Sequence, residues 1–118
     1  MDKNELKDRT KKFALRIIKL VGKLPKNVVG WTIGKQLIRC GTSVAANYRA
    51  VCLAKSRADF IAKLGIVVEE ADESIFWIEL LIESKIMPAK LLESLLQEAK
   101  EITAIMIASK KSASKKKF

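Results

Sequence analysis

The chain of 118 residues contains no histidine. This absence removes the commonest general base, the commonest nitrogen ligand of metals and the usual partner of a catalytic serine or cysteine. No glycine-rich phosphate loop, nucleophile elbow or paired-cysteine zinc pattern occurs in the sequence either. We therefore expect a protein that is not an enzyme, holds no metal or cofactor, and acts by binding.

Helix breakers and long apolar runs are also scarce. Only two prolines and five glycines interrupt a sequence that is 49% hydrophobic, a composition that favours long helices over disorder. No stretch approaches the ~18 uncharged apolar residues of a membrane span. The N-terminal segment is too polar for a signal peptide. We expect a cytosolic protein.

The two cysteines, Cys40 and Cys52, fall twelve residues apart within one predicted helix. At that separation they are too distant to form a disulfide. We expect buried thiols.

Charge is unevenly distributed along the chain. Residues 1–57 contain 14 Lys/Arg and 3 Asp/Glu, residues 58–107 contain 4 and 10, and residues 108–118 contain 5 and none. The net charge of +10 therefore divides into a basic half, an acidic half and a basic tail. This asymmetry indicates either contact with a polyanion or head-to-tail assembly of copies.

Apolar spacing of three and four residues predicts four helices and no strand. The helices are predicted at about Glu5–Leu24, Val28–Leu53, Ser56–Ser84 and from Pro88 onward. Asn27 and Ser56 are the predicted N-caps of the second and third helices. Short connections predict an all-α, antiparallel up-down-up-down four-helix bundle over residues 1–109, followed by a disordered basic tail over residues 110–118.

Two glycines lie on the predicted inward face of the second helix, Gly34 and Gly41. Each lowers helix stability by about 1 kcal/mol relative to alanine, so a packing reason is expected. We predict that a neighbouring helix approaches closely there. The inward positions of the fourth helix are predicted to be Leu91, Leu95, Ala99, Ile102 and Met106.

A basic stripe runs along the first helix at alternating spacings of three and four. Its members are Arg9, Lys12, Arg16, Lys19 and Lys23, with Lys26 continuing the spacing past the helix end. The stripe shares one helix face, and aligned like charges repel one another. It is therefore either a ridge that contacts nucleic-acid phosphates without reading base sequence or an ordinary solvated face.

A second apolar strip on the third helix points away from the core. It consists of Ile66, Phe76, Trp77 and Leu80. Exposed apolar surface of this kind more often marks a subunit interface than a cofactor site, so we predict subunit contact. The alternative is that a neighbouring helix edge covers Trp77.

Polar residues at i, i+4 and i+8 of the second helix form a third group. Arg39, Ser43 and Asn47 are predicted to face carboxylates of the third helix, and Glu70 and Glu73 complete the predicted structural network. Clustered carboxylates also raise the idea of a metal site. Di-metal sites in bundles rely on Glu-x-x-His pairs, so we favour the structural network.

The sequence between Arg39 and Leu81 closely resembles bacterial four-helix-bundle proteins first noticed in intervening sequences of large-subunit ribosomal RNA genes. The matching positions are Arg39, Ser43, Val44, Ala46, Asn47, Tyr48, Ser56, Asp59, Phe60, Lys63, Leu64, Glu70, Ala71, Glu73 and Leu80. Ala50 departs from the family pattern, where many relatives have Glu.

The resemblance implies a homopentameric ring of bundles. A related branch of the family serves as accessory proteins to the reverse transcriptases of diversity-generating retroelements and is implied to bind nucleic acid. We carry over the ring and the basic binding surface, but not the retroelement role.

Three functional hypotheses follow. The leading one is a ring-forming module that binds RNA or DNA non-specifically through the first helix and the C-terminal lysines. The second is an oligomeric scaffold for a protein partner such as a polymerase or reverse transcriptase. The third is an enzyme that uses a metal and carboxylates, since the missing histidine excludes Arg–His ribonucleases.

Overall fold

Four α-helices in chain order form the protein, whose computed structural model describes residues 1–115. They are α1 (Lys3–Val21), α2 (Val28–Cys52), α3 (Arg57–Glu83) and α4 (Glu93–Lys115), with a 3-10 turn at Ala89–Leu91 before α4. Each helix packs along its chain neighbour, whereas α1 and α4 contact each other much less. The result is the predicted all-α up-down bundle, a rod of 53 × 21 × 19 Å.

Side-chain caps fix the starts of the first three helices. Asp2 and Glu5 form a capping box at α1, in which the Glu5 amide donates to Asp2 Oδ1 at 2.9 Å. The predicted caps of α2 and α3 are confirmed: Asn27 accepts from the Gly30 amide, and Ser56 accepts from the Asp59 amide, both at 3.0 Å. These bonds satisfy amides that have no partner within the helix.

Two helix boundaries differ from the prediction. α1 ends at Val21 rather than Leu24, because the chain tightens into i→i−3 bonds such as Leu24 N–H to Val21 C=O at 3.1 Å. The 3-10 turn before α4 contains about three residues per turn and changes the register. Leu91, predicted to be inward, is therefore 51% exposed, and Leu92 is fully buried instead.

The core lies between all four helices. Its fully buried large side chains are Phe13, Ile17, Leu37, Val44, Val51, Leu64, Val67, Ile78, Leu81, Leu92, Ile102 and Met106. The other predicted inward positions of α4, from Leu95 to Met106, are buried as expected. Thr10, Ser74 and Thr103 are buried polar residues, and each hydroxyl donates to a backbone carbonyl four residues earlier.

The glycines of α2 allow α1 to approach closely, as predicted. A Cβ at Gly41 would lie 2.8 Å from Ile17 Cγ1, and one at Gly34 would lie 2.9 Å from Val21 Cγ1. At Gly30 a Cβ would lie only 1.8 Å from the carbonyl oxygen of Pro25. The connection between α1 and α2 therefore packs directly on the α2 backbone.

Cys40 is buried and Cys52 is half-buried, and both are free thiols. Burial raises the pKa of the Cys40 thiol, which keeps it protonated and unreactive near neutral pH. The Ser74 hydroxyl lies 3.3 Å from Cys40 Sγ across the α2–α3 contact.

The C-terminal boundary also differs from the predicted one. α4 continues to Lys115, so residues 110–115 of the predicted tail are helical. Residues 116–118, which belong to the same predicted tail, lie outside the described residues.

Candidate nucleic-acid interface

The predicted basic stripe lies along the outer side of α1, next to the seam with α4. Lys12, Arg16, Lys19, Lys23 and Lys26 are all exposed, and we call these five residues the basic ridge. The helical part of the ridge, from Lys12 to Lys19, spans about 10 Å at 1.5 Å per residue, and Lys23 and Lys26 follow in the connection to α2.

Arg9, the first residue of the predicted stripe and the one left out of the basic ridge, has a different environment. Its guanidinium donates to both carboxylate oxygens of Glu98, at 2.6 and 2.8 Å, and to Glu101 at 2.9 Å. These bonds, the one to Glu98 above all, raise the pKa of Arg9. Its charge is therefore neutralised inside the protein, and Arg9 links α1 to α4 instead of extending the ridge.

Two ridge residues also contact protein groups. Lys12 Nζ lies 2.9 Å from Asp8 Oδ2 in an exposed pair one helical turn apart, and this hydrogen bond raises the pKa of Lys12. Arg16 donates to Ser94 Oγ of α4 at 2.8 Å, which orients the guanidinium without neutralising it. The Lys12–Asp8 pair is solvent-exposed and therefore weak, and Arg16 contacts only a neutral hydroxyl, so Lys12 and Arg16 can exchange these partners for a phosphate.

Lys19, Lys23 and Lys26 are the remaining residues of the ridge, and all three are exposed. In the part of the chain that the structure describes, neither these three residues nor Arg16 forms an ion pair. Arg16, Lys19 and Lys23 also line a small groove of about 200 Å³, whose apolar side is made by Leu20, Met87, Leu91 and Leu95.

A further groove, which the sequence pattern did not predict, lies where α1 turns into α2. It has a volume of about 440 Å³ and includes Lys26, Trp31 and Lys35 among its lining residues. Trp31 is 65% exposed. The available sequence indication was its spacing: at about 100° per residue, Trp31 lies on the same side of α2 as the exposed Ile38, at the border of the buried face that holds Gly34.

The apolar strip of α3 is only partly exposed. Phe76, Ile66 and Leu80 are 52%, 44% and 37% exposed, respectively. Trp77 is half-buried, packs against the edge of the core and contacts Phe76 edge to face, with ring centroids 4.9 Å apart. Its indole N–H donates to Glu73 Oε2 at 3.2 Å.

The predicted polar network is divided between two sets of contacts. Arg39 of α2 pairs with both Glu70 and Glu73 of α3, the former at 3.2 Å. The Asn47 amide instead donates to the backbone carbonyl of Ser43 at 2.9 Å, within its own helix. The arginine thus links the helices, while Asn47 is bonded within α2.

Residues 1–115 contain neither a candidate metal site nor a candidate membrane span. Within that range, no group of three or more His, Cys, Asp or Glu side chains is arranged to hold a metal ion. None of the helices there is long and apolar enough to span a membrane.

These features define a four-helix bundle with a cationic outer face. The 23S rRNA-intervening sequence protein family model matches residues 2–108, so the chain belongs to this family. A solved structure of a protein of unknown function from the S23 ribosomal protein family of Bacteroides thetaiotaomicron is similar, with 39% sequence identity and a TM-score of 0.86. The alignment covers 94% of this chain and 99% of that one. No curated protein sequence matches the chain.

Proposed function

We propose that this protein is a non-enzymatic module that binds RNA or DNA through the phosphates, using the basic ridge of α1. The observation that carries the proposal is the row formed by Arg16, Lys19, Lys23 and Lys26, exposed cations that form no ion pair within residues 1–115. Like charges held in line repel one another, and an anionic polymer relieves that repulsion.

The binding mechanism is electrostatic. Each lysine or arginine that neutralises a phosphate releases condensed counterions, which provides affinity without base recognition. The helical lysines of α4, Lys110, Lys111 and Lys115, add positive charge elsewhere on the molecule. Arg9 is assigned a structural role, because two carboxylates already hold it.

The proposal includes a homo-oligomer, with a pentameric ring favoured. The exposed residues Ile66, Phe76 and Leu80 supply an apolar surface on α3 for subunit contact. A ring repeats the basic ridge in several copies, and linked copies bind one polymer more tightly than a single copy does.

A second candidate function is that of a scaffold for a protein partner. Leu15 and Ile18 are exposed large apolar residues beside Arg16 and Lys19, and the four line a shallow hollow of about 450 Å³. A phosphate backbone makes little use of such apolar surface, whereas a protein with acidic and apolar side chains matches it.

The test compares two variants of equal net charge. Lys19→Glu/Lys23→Glu reverses two residues of the ridge, and Lys55→Glu/Lys100→Glu reverses two exposed lysines elsewhere. Fluorescence anisotropy with a labelled RNA should show roughly a tenfold or greater loss for the ridge variant and a smaller loss for the control. Equal losses would assign binding to net charge alone, and no binding by the native protein would favour the scaffold.

A further inference from the structure

Trp31 is held in an exposed position by the way α2 begins. Asn27 caps the helix, and the Pro25 carbonyl packs against Gly30, where no Cβ could be accommodated. This contact fixes the connection that carries Lys26 close to the first turn of α2. Trp31, on the outer side of that turn, is 65% exposed.

The groove around Trp31 is cationic. Lys26 and Lys35 both line it, and Lys35 lies one helical turn after Trp31 on the same face of α2. Its other lining residues, all within the described range, are apolar: Val21, Gly22, Leu24, Pro25, Gly30, Gly34 and Ile38. The groove therefore combines an exposed aromatic face with positive charge and no carboxylate in its lining.

This combination suits one class of ligand. Unpaired bases stack on aromatic side chains, while neighbouring cations hold the phosphates of the same strand. In a duplex the bases are already stacked and paired, so the indole face gains little from it. A tryptophan between lysines thus discriminates single strands from duplexes.

The groove is continuous with the basic ridge. Lys26 is the last residue of the ridge and also lines the groove, next to Gly22 and close to Lys23 in the chain. A strand that follows the ridge along α1 therefore arrives at Trp31 without crossing a gap in positive charge.

We propose that Trp31 is a stacking platform for an unpaired base of single-stranded RNA or DNA, with Lys26 and Lys35 contacting the adjacent phosphates. The site rests on the proposed nucleic-acid function and refines it, since the ridge alone does not distinguish single strands from duplexes. Its occupant is a nucleic-acid strand rather than a second protein copy, because the lining lysines complement phosphate.

The experiment uses the full-length protein with a labelled single-stranded oligoribonucleotide and the duplex form of the same sequence. Trp31→Leu keeps apolar bulk but removes the aromatic face, and Trp31→Phe retains a smaller one. Trp31→Leu should weaken single-strand binding about fivefold to a hundredfold, with Trp31→Phe intermediate. Duplex binding should change less than about twofold. Leu53→Ala, at another exposed apolar residue, is the control and should change neither.

A second readout does not depend on the folding of the Trp31 variants. In Trp77→Phe, the remaining tryptophan fluorescence comes from Trp31. Single-stranded RNA should quench it, and the duplex should not.

Three results overturn the inference, and they are distinguishable. Equal binding of both RNA forms, unaffected by Trp31→Leu, removes the stacking site but leaves the proposed function intact. No binding of either form by the native protein removes the proposed function as well. A fall in molecular mass by light scattering in Trp31→Leu, with unchanged single-strand affinity, assigns Trp31 to a subunit contact.

Discussion

The guanidinium of Arg9 and the carboxylate of Glu98 form a bidentate ion pair, with two hydrogen bonds, across the seam between α1 and α4. These two helices have the least contact of any neighbouring pair in the bundle, so polar links are important where apolar packing is limited. The pair closes the bundle at a separation of 89 residues in sequence.

Replacing Arg9 should therefore reduce stability rather than nucleic-acid affinity. Arg9→Met leaves Glu98 largely buried without its partner, and we expect a loss of about 1–2 kcal/mol in the free energy of unfolding. Lys12→Met breaks only the exposed pair with Asp8 and should change stability much less than Arg9→Met does. Urea unfolding measures both, and equal losses would contradict the structural role of Arg9.

Glycine contacts in α2 and in α3 predict opposite effects for two Gly→Ala variants. Gly41→Ala places a methyl group 2.8–3.2 Å from three atoms of the fully buried Ile17, and we expect a net loss of about 1–3 kcal/mol from overpacking. Gly65→Ala meets only the flexible end of Lys110, so helix propensity should dominate and raise stability by up to about 1 kcal/mol. Stabilisation of both variants in thermal unfolding would show that α1 can move away from Gly41.

Acid should weaken the link between α2 and α3. The hydrogen bond from Arg39 lowers the pKa of Glu73 below its ordinary value of 4.5. Because the folded-state pKa is the lower one, the pair stabilises the protein fully above pH 4.5, and this contribution is lost as the pH falls through the lowered pKa.

Arg39→Gln isolates that contribution. The difference in unfolding free energy between the native protein and Arg39→Gln should be constant above pH 4.5 and should shrink in more acidic solution. Urea unfolding at a series of pH values measures it. A difference that persists undiminished at the acid end would mean that Arg39 stabilises the fold by packing rather than by pairing with Glu73.

The exposed strip of α3 gives a prediction about assembly. Phe76→Asp places a charge in the proposed subunit interface and should lower the molecular mass measured by light scattering. Leu53→Asp changes an exposed leucine outside the strip and should leave the mass unchanged. A native protein that is already monomeric would remove the ring from the account.

Sequence patterns predicted the features that depend on neighbouring residues. Asn27 and Ser56 were identifiable as caps because their partners lie three residues away, and the spacing of Gly34 and Gly41 placed both on the buried face of α2. The burial of Leu92 instead of Leu91 was not predictable in this way, because a 3-10 turn shifts the helical register between Pro88 and α4.

The candidate site was predictable only in outline. The spacing of the α1 cations placed them on one face, but Arg9 differs from Lys19 only through Glu98 and Glu101, which are distant in sequence. Trp31 was not predicted, because it lies at the border of the inward face of α2 and is not one of the predicted core positions. Its exposure becomes evident only when the turn at Pro25 is in place.

Salt dependence is the most direct test of the proposal that the basic ridge contacts phosphates. With four ridge cations contacting duplex DNA, the logarithm of affinity should fall with the logarithm of salt concentration at a slope of about −3.6, so affinity drops roughly a hundredfold between about 50 and 200 mM salt. Lys19→Gln/Lys23→Gln should reduce that slope by about 2 units. An affinity that is insensitive to salt, or a slope that the double variant leaves unchanged, would contradict the account.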